Sequence, residues 1–489
     1  MVAGVKSNRW VLAVCGLFMA ANLYLMADRT YWLNLLPVVL ILSWALLAAV
    51  DHVLLFLAFA TPLSINLEEL DIGGIGIALP TEPLMVGLTV LFFFKLALER
   101  DVVDKAVWKH PITWIILAQL VWAAFCILPS SMPVVSLKYL AARLWFITTM
   151  FFMALRLFRE PRRIHHFLWS YIAGLAVVVI YTLVIHAQHG FEQEPAHWVM
   201  SPFFKDHTSY GAILAFFLPF SFAAIAFPGY SRSARALTFV IFLLLLTGLV
   251  FSYTRAAWLS LLASFAVYII LRLRVPFWVL MVLAVVGAGV YVVEREQITI
   301  ALERNREESS DDLGEHVQSI SNISSDASNL ERINRWNSAL RMWKERPITG
   351  WGPGTYMFQY APFQASEDRT IISTNFGVQG NAHSEYLGPL SEQGVPGMAL
   401  ILALVGLTTW TMFRTYSRMP AGADRRILLA ASMGLVTYYL HGALNNFLDL
   451  DKAAVPFWAF TALVVHMDLK YPAVRPERSE DGTKATVVG

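Results

Sequence analysis

The sequence predicts an all-α fold: a polytopic membrane helical bundle of about 12 to 14 spans with a large, partly helical outer loop. Hydrophobic residues make up 57% of the chain, charged residues only 15%, and the mean hydropathy is +0.55, values far from those of a soluble domain. Most apolar runs are about 17 to 22 residues long, enough for a helix to cross ~30 Å of hydrocarbon. They are continuous rather than alternating, which excludes barrel strands.

Each predicted span corresponds to one apolar run. The first, residues 10–27, follows two basic residues and is interpreted as an uncleaved span, because no small-x-small cleavage site precedes Asp28. Residues 52–65 are short for a span and are predicted to cross the membrane or to form a re-entrant segment. The remaining predicted spans are residues 32–50, 80–98, 111–128, 139–158, 167–187, 210–227, 236–251, 256–273, 276–293, 395–413, 427–440 and 454–467.

Short arginine-rich connections set the predicted orientation, because cytoplasmic loops are enriched in Lys and Arg. Counting spans places the basic connections, the N-terminus and the polar tail together on the cytoplasmic face. These connections are residues 156–163, 232–235, 272–274 and 414–426. The chain is thereby divided into an N-terminal transmembrane bundle, a large outer loop, closing spans and a disordered cytoplasmic tail. Their predicted boundaries are residues 1–293, 294–394, 395–468 and 469–489.

The outer loop changes character along its length. Residues 303–329 are rich in Ser, Asp, Glu and Asn, which predicts flexibility. An apolar stripe then recurs at helical spacing beside several arginines, which predicts an amphipathic helix that could lie against the membrane surface. The stripe consists of Leu330, Ile333, Trp336, Leu340 and Trp343. Pro347 ends the helix, and the glycines of PITGWGPG predict a tight turn whose backbone can closely approach a ligand.

Several familiar catalytic signals are absent from the sequence. It contains no Walker loop, no nucleotide-binding GxGxxG, no HExxH and no Cys/His metal spacing, so no ATP use, built-in metal or cofactor is predicted. No basic tract indicates nucleic-acid binding. What remains is a set of ionisable residues at the predicted outer ends of helices.

Arg255 is the most unusual of these residues, since it lies at an outer end between two apolar runs, against the positive-inside bias. It is either a snorkelling arginine in a tight turn or part of an anion site. A guanidinium fork suits a phosphate group well. Arg332 and Arg335, on the predicted amphipathic helix, are interpreted as a solvated face or as further anion ligands.

His383 heads the segment NAHSEYLGPLSEQGVPG, which leads from the polar loop into an apolar span. The pattern predicts a short helix with His383 at its N-terminus and Gly394 as its C-cap. The histidine is either a capping or core residue or a general base. Glu385 and Glu392 are interpreted as its partners or as solvated side chains.

In combination, these motifs resemble the bacterial O-antigen ligase and O-antigen polymerase family. The motifs are SYTRAAW around Arg255, the Arg-x3-Trp of Arg332 and Trp336, the PITGWGPG turn and HSEYLGPLSEQGVPG. They follow the family's order of two linked spans, a large outer loop and closing spans, and KDHTSYGAILAFFLPF also looks like the family's preceding segment. The likeness extends from about residue 204 to residue 397. The family's His-Asn-x-x-Leu pattern here has Ser384 in the asparagine position, which weakens any role assigned to that residue.

The resemblance implies a membrane glycosyltransferase that moves a glycan from undecaprenyl pyrophosphate to an acceptor hydroxyl. Arg255 and Arg332 are then expected to bind the pyrophosphate, with Arg335 in reserve, and His383 to accept the acceptor's proton. The reaction is expected to be metal-independent and to invert the anomeric carbon. The protein is expected in the bacterial inner membrane, with its active site on the periplasmic face and both termini in the cytoplasm.

Alternatives remain open at this stage. The acceptor could be the lipid A core (a ligase), a growing polymer (a polymerase) or a protein hydroxyl (an O-oligosaccharyltransferase), and the first two are favoured. A flippase or transporter of lipid-linked sugars should show ionisable residues near mid-span and an internal repeat. Neither is clear, since Arg143 is the main embedded charge and lies near a predicted outer end. A structural or sensory membrane protein is the third class.

Overall fold

The computed structural model describes residues 9–34, 36–37, 40, 47–67, 76–273, 327–369, 373 and 380–472. Helices dominate these ranges, and the strands within them are one short antiparallel pair, β1 (Ile65–Asn66) and β2 (Ala78–Leu79). The predicted all-α class is therefore confirmed. The predicted span at residues 276–293 lies outside the described residues, as do most of the predicted flexible segment at 303–329 and residues 35, 38–39 and 41–46 of the predicted span at 32–50.

The α-helices of the described ranges are numbered here in chain order. They are α1 (Arg9–Ala27), α2 (Val50–Ala60), α3 (Thr81–Leu98), α4 (Lys105–Trp108), α5 (Pro111–Ile127), α6 (Pro133–Leu157), α7 (Pro161–Gln188), α8 (His207–Ile225), α9 (Arg232–Val250), α10 (Arg255–Leu273), α11 (Ala327–Glu345), α12 (Tyr356–Gln359), α13 (Leu387–Arg418), α14 (Ala423–His441) and α15 (Asp451–Lys470). A π-helical stretch, Thr148–Met153, lies within α6. Single 3-10 turns are formed by Trp32–Asn34, Pro195–His197, Ala361–Phe363 and Ser366–Asp368.

Six of the described helices, namely α3, α6, α7, α8, α9 and α13, are long and apolar enough to cross a membrane. Shorter apolar helices occur in α1, α2, α5 and α10. The fold is that of a polytopic, all-α membrane protein, as the composition predicts. The segment predicted to be short or re-entrant forms α2, which has only 11 residues.

Local sequence explains where several helices begin. The Asp206 side chain accepts a hydrogen bond from the Ser209 N–H at 2.7 Å, which caps α8. Ser231 caps α9 in the same way through the Ala234 N–H at 3.1 Å. Capping satisfies backbone donors that the first helical turn leaves without a partner. These caps fix the first turn of α8, at the buried centre of the bundle, and of α9, which packs against it.

The buried centre consists of α8 and α15, whose side chains are apolar on most faces, as is typical of helices enclosed by others. The rings of Tyr171 and Phe217 stack with centroids 4.3 Å apart, and those of Phe216 and Phe460 lie 4.6 Å apart. Around them pack α9, α10 and α14. This packing brings the first residues of α8, α10 and α15 and the last residue of α14 to one end of the bundle.

A break divides α13 at Gly394, whose backbone has φ 69° and ψ −168°. Only glycine adopts this conformation readily, because it has no Cβ. The predicted sequence of a short helix, a glycine stop and a second helix is therefore confirmed. The first part of α13 follows directly after His383, and the second part continues to Arg418.

Candidate active site

Several helix ends surround His383. The Thr254 hydroxyl, one residue before α10, donates to the His207 carbonyl at 2.7 Å. On the other side of Arg255, the Ala256 backbone interacts with His441 at the end of α14. The sequence-predicted Arg255 is thus placed at the same end of the bundle as His207, which belongs to the KDHTSYG motif, and His441, which no motif selected.

The backbone of His383 is in the left-handed region, with φ 47°. A non-glycine residue adopts this region at a cost of order 1 to 3 kcal/mol and keeps it only where its surroundings enforce it. Two hydrogen bonds enforce it here: the His383 N–H donates to Asn381 Oδ1 at 3.0 Å, and the Trp336 indole N–H donates to the His383 carbonyl at 3.1 Å. The second bond also ties the Arg-x3-Trp motif of α11 to the histidine.

The imidazole of His383 faces the connection between α14 and α15. Its Nδ1 lies 3.4 Å from Asn445 Oδ1, and Asn445 Nδ2 lies 3.1 Å from His441 Nε2. A side-chain amide oxygen only accepts hydrogen bonds, so the contact favours the tautomer of His383 that carries its proton on Nδ1. That tautomer leaves the lone pair on Nε2, the form a general base requires.

Ser384 shows why the family's asparagine can be replaced here. Its hydroxyl oxygen accepts hydrogen bonds from the Tyr386 and Leu387 N–H groups, both at 3.3 Å, at the start of α13. Asparagine and serine are both good helix N-caps because each offers a side-chain oxygen to these donors. The substitution therefore preserves a capping interaction beside His383.

Glu385 binds the protein rather than solvent. Its carboxylate accepts from the Tyr438 hydroxyl at 2.6 Å and from the Phe447 and Leu448 N–H groups at 2.7 and 2.9 Å. Burial raises the pKa of this carboxyl group. Arg143 supports the same connection by donating to the Leu448 carbonyl at 3.1 Å. Together they hold the segment that presents Asn445 to His383.

Arg335 lies on the buried face of α11. Its Nε is 2.6 Å from Glu331 Oε1, and its guanidinium lies 4.1 Å from the centroid of the Tyr360 ring. Ser373 donates a further hydrogen bond to Glu331. A Cβ added at Gly380 would stand 2.1 Å from the Arg335 guanidinium, so the chain before His383 passes closely over it. Arg335, a candidate anion ligand, therefore forms a buried ion pair with Glu331.

Arg332, three residues earlier, is half-buried and its charge acts on His207, His383 and His441. Burial, together with the positive charges of Arg332 and Arg335, lowers the pKa of His383 to about 4. His383 is therefore neutral near pH 7. Arg332 thus acts on His383 electrostatically, whereas a common site of Arg255, Arg332 and His383 stays a prediction.

The PITGWGPG turn closely approaches the protein itself. The Gly352 N–H donates to the Glu392 carbonyl at 2.8 Å, and the Gly354 and Tyr356 N–H groups each donate to the Glu392 carboxylate at 2.9 Å. A Cβ at Gly394 would lie 2.1 Å from the Ile348 carbonyl oxygen. The turn thus docks into the break of α13, and its approach to a ligand stays a prediction.

The predicted amphipathic helix exists as α11, but its buried side is opposite to the apolar stripe. The buried residues are Glu331, Asn334, Arg335, Ser338, Ala339 and Met342, whereas the stripe residues are half-buried. Polar side chains can be buried here because partners satisfy them, as when Asn334 Nδ2 donates to Gln364 Oε1 at 2.8 Å. Contact of the stripe with a membrane surface stays a prediction.

No group of three or more His, Cys, Asp or Glu side chains in the described ranges is arranged to hold a metal ion. The site consists instead of histidine, arginine and amide side chains. Whether the reaction proceeds without a metal stays a prediction.

A comparison with protein families assigns the central part of the chain. Residues 239–402, about a third of the protein, match the family described as O-Antigen ligase. Residues 239–402 are therefore similar to the O-antigen ligase family. The resemblance inferred from the motifs is thereby confirmed over this segment. A search of curated proteins finds no match.

The O-antigen ligase segment contains every site residue predicted from the sequence, namely Arg255, Arg332, Arg335 and His383. It ends before His441 and Asn445, which sequence reasoning missed. Their signal was weak: HGALNN is a short polar stretch between two predicted spans, and nothing local indicates its contact with a histidine 62 residues earlier.

Proposed function

We propose that this protein transfers a glycan from undecaprenyl pyrophosphate to an acceptor hydroxyl, as an O-antigen ligase or a polysaccharide polymerase. The proposal depends above all on one observation: His383 contacts Asn445 through its Nδ1 at 3.4 Å, and its carbonyl accepts a hydrogen bond at 3.1 Å from Trp336, in the motif that contains Arg332. A neutral imidazole can accept a proton, and a guanidinium can hold a phosphate. Glycan transfer from a pyrophosphate carrier needs both.

His383 acts as the general base. The acceptor oxygen attacks the anomeric carbon while its proton passes to His383 Nε2, and the bond from that carbon to the pyrophosphate oxygen breaks. The electron pair of the broken bond leaves with the lipid pyrophosphate. Attack opposite the leaving group inverts the anomeric configuration. General-base assistance of this kind contributes about 10² to 10⁴ in rate.

Arg332 and Arg255 bind the pyrophosphate and stabilise the charge that develops as it leaves. Binding of the pyrophosphate to Arg332 also changes the basicity of His383. Because the charge of Arg332 helps to depress the pKa of His383, an anion bound to this arginine offsets that effect. His383 then becomes a stronger base when the donor is bound. No metal takes part in this scheme.

Asn445 positions the base. Its amide oxygen faces Nδ1 of His383, and its amide nitrogen faces His441, which fixes the orientation of the amide. The tautomer with a lone pair on Nε2 is favoured in consequence. The imidazole is thus oriented before substrate arrives.

We place the site on the periplasmic face of the bacterial inner membrane, with both termini in the cytoplasm. Single cysteines test this orientation. A cysteine replacing the exposed Ile348 should react with an impermeant thiol reagent in intact spheroplasts, and one replacing the exposed Arg235 should react only after lysis. The reverse pattern would invert the proposed topology.

Deletion of the gene and complementation test the reaction. Wild type should restore the surface glycan, whereas His383→Gln at equal protein level should not. His166→Gln, at an exposed histidine at the start of α7, is the matched control and should restore it fully. Full restoration by His383→Gln would overturn the catalytic assignment.

The deletion phenotype also separates the alternatives. Free lipid-linked polymer with an unmodified core indicates a ligase, and single repeat units on the core indicate a polymerase. An unmodified surface protein with normal lipopolysaccharide indicates protein glycosylation. Donor retained on the cytoplasmic leaflet would instead indicate a flippase.

A further inference from the structure

Two neighbouring cavities lie at the end of the bundle opposite His383. α15 begins at Asp451, just after the connection that contacts His383, and its 20 residues extend about 30 Å to Lys470. That length is about the thickness of the hydrocarbon core. The cavities lie near Lys470, so one membrane thickness separates them from the candidate active site.

The larger cavity has a volume of about 210 Å³, room for a group several times the size of a water molecule. Basic side chains form part of its wall, and the rest is mainly apolar. Its basic residues are Arg156, Arg159 and Lys470, and its apolar residues include Val103, Phe152 and Leu155. The smaller cavity shares Phe152 and Arg156 with it and adds Lys95 and the apolar Leu54 and Phe92.

Two carboxylates also line these cavities, Asp104 the larger and Asp51 the smaller, and both are engaged in ion pairs. Asp104 lies 3.6 Å from Arg159, and Asp51 lies 3.9 Å from Arg163. Lys470 is paired with Asp424 at 2.6 Å. Arg156 is exposed and lines both cavities, and no ion pair to it is formed within the part of the chain that the structure describes.

We propose that the larger cavity binds the headgroup of an anionic phospholipid in the leaflet opposite the active site, with the start of an acyl chain along its apolar wall. The smaller cavity, of about 20 Å³, borders this site and holds no part of the lipid. Arg156 binds the phosphate, for which a guanidinium is well suited. The apolar wall around Phe152 receives the upper acyl chain. A basic pocket with an apolar floor, at the membrane boundary between helices, has the chemistry that anionic lipid headgroups require. A free phosphate ion would use the basic residues but not the apolar wall.

This site is separate from glycan transfer, because none of its residues contacts the His383 site. Arg156 belongs to α6, and the cavity floor joins it to the last turn of α15. A bound lipid would therefore connect the ends of two helices that otherwise meet through few polar contacts. It would stabilise the bundle at this face.

Native mass spectrometry of the full-length protein can test the proposal, with phosphatidylglycerol, phosphatidylcholine and inorganic phosphate as separate probes. Wild type should retain phosphatidylglycerol in preference to phosphatidylcholine. Arg156→Gln should weaken phosphatidylglycerol binding about fivefold, the effect of one basic residue near a membrane surface. Lys95→Gln should weaken it less, because Lys95 only borders the site.

Arg235→Gln is the matched control, since Arg235 is an exposed arginine in the first turn of α9, at the same end of the bundle, and lines neither cavity. It should bind phosphatidylglycerol as wild type does. Equal binding of the two lipids, or equal binding by Arg156→Gln and Arg235→Gln, would overturn the proposal. So would inorganic phosphate that displaces the lipid completely, because a free anion would then be the better ligand.

Discussion

The two sides of α11 carry arginines three residues apart in very different surroundings. Arg335 is buried, forms an ion pair with Glu331 and lies against the ring of Tyr360. Arg332 is half-exposed on the side that holds Trp336 and acts electrostatically on the histidines. One side of the helix therefore maintains the shape of the outer segment, and the other offers a charge that a ligand can reach.

The difference shows that side chains of one helix can contribute separately to stability and to function. A buried ion is tolerated only with its partner, so Arg335 is tied to Glu331. A half-exposed guanidinium retains its hydration in part and can exchange water for a phosphate. Substitutions on the two sides should accordingly affect different measurements.

The largest expected effect is on stability. Arg335→Gln leaves the buried Glu331 carboxylate without its cation, which should cost about 3 to 5 kcal/mol in the free energy of unfolding. Thermal unfolding in detergent measures this, and activity per folded molecule should change little. The double variant Glu331→Gln, Arg335→Gln should recover part of the loss. Wild-type stability together with lost activity in Arg335→Gln would contradict the proposed division between the two sides.

Arg332→Gln should act on catalysis instead. Removal of one group that stabilises developing charge should lower the rate of glycan transfer about 10² to 10³-fold. The thermal transition should stay near that of wild type, because the side chain is half-exposed. Arg346→Gln provides a control for loss of a positive charge, since Arg346 is a partly exposed arginine just after α11. If Arg332→Gln lost as much stability as Arg335→Gln, the proposed distinction between the roles of the two arginines would be wrong.

The pH dependence gives a finer test of Arg332. A base must be neutral, so kcat/KM should fall as the pH decreases through the pKa of His383, which lies at about 4. In Arg332→Gln one depressing charge is gone, and this limb should move upward, toward the usual histidine value of about 6.5. The pH dependence of His383 modification by diethyl pyrocarbonate, followed by peptide mass spectrometry, reports the same titration without turnover. An identical midpoint pH in wild type and Arg332→Gln would exclude electrostatic coupling between Arg332 and His383.

The smallest effect is expected at Ser384. Ser384→Asn should keep the cap of α13 and change the unfolding free energy by less than about 0.5 kcal/mol, whereas Ser384→Ala should cost about 1 kcal/mol. Thermal unfolding of the three proteins side by side measures the difference. If Ser384→Asn destabilised the protein more than Ser384→Ala, the capping role would be wrong.

The sequence was most informative where the signal is local. The Gly394 break and the existence of α11 follow from neighbouring residues and were predicted. The side of α11 that is buried was not, because the stripe of apolar residues is visible in the sequence while the partners of Asn334 and Arg335 come from distant segments. Glu331 and Arg335, four residues apart, were the one available hint of a paired face.

The candidate site shows the same limit. Family motifs selected Arg255, Arg332 and His383, and their common role stays a prediction. Asn445 and His441 escaped notice because their role depends on a contact between the loop before α13 and the connection after α14. The sequence suggests that Glu392 is a partner of His383 or is solvated. In the structure its carboxylate accepts hydrogen bonds from backbone N–H groups of the glycine turn. No periodicity in the sequence encodes such a contact.

The contact between His383 and Asn445 also bears on how the protein is made. The two residues are 62 positions apart, with α13 and α14 between them. Since a chain is synthesised from its N-terminus, His383 leaves the ribosome well before its partner. The histidine therefore acquires its oriented proton only after the last helices have been inserted into the membrane. An incompletely synthesised chain contains His383, Arg255 and Arg332 but not Asn445.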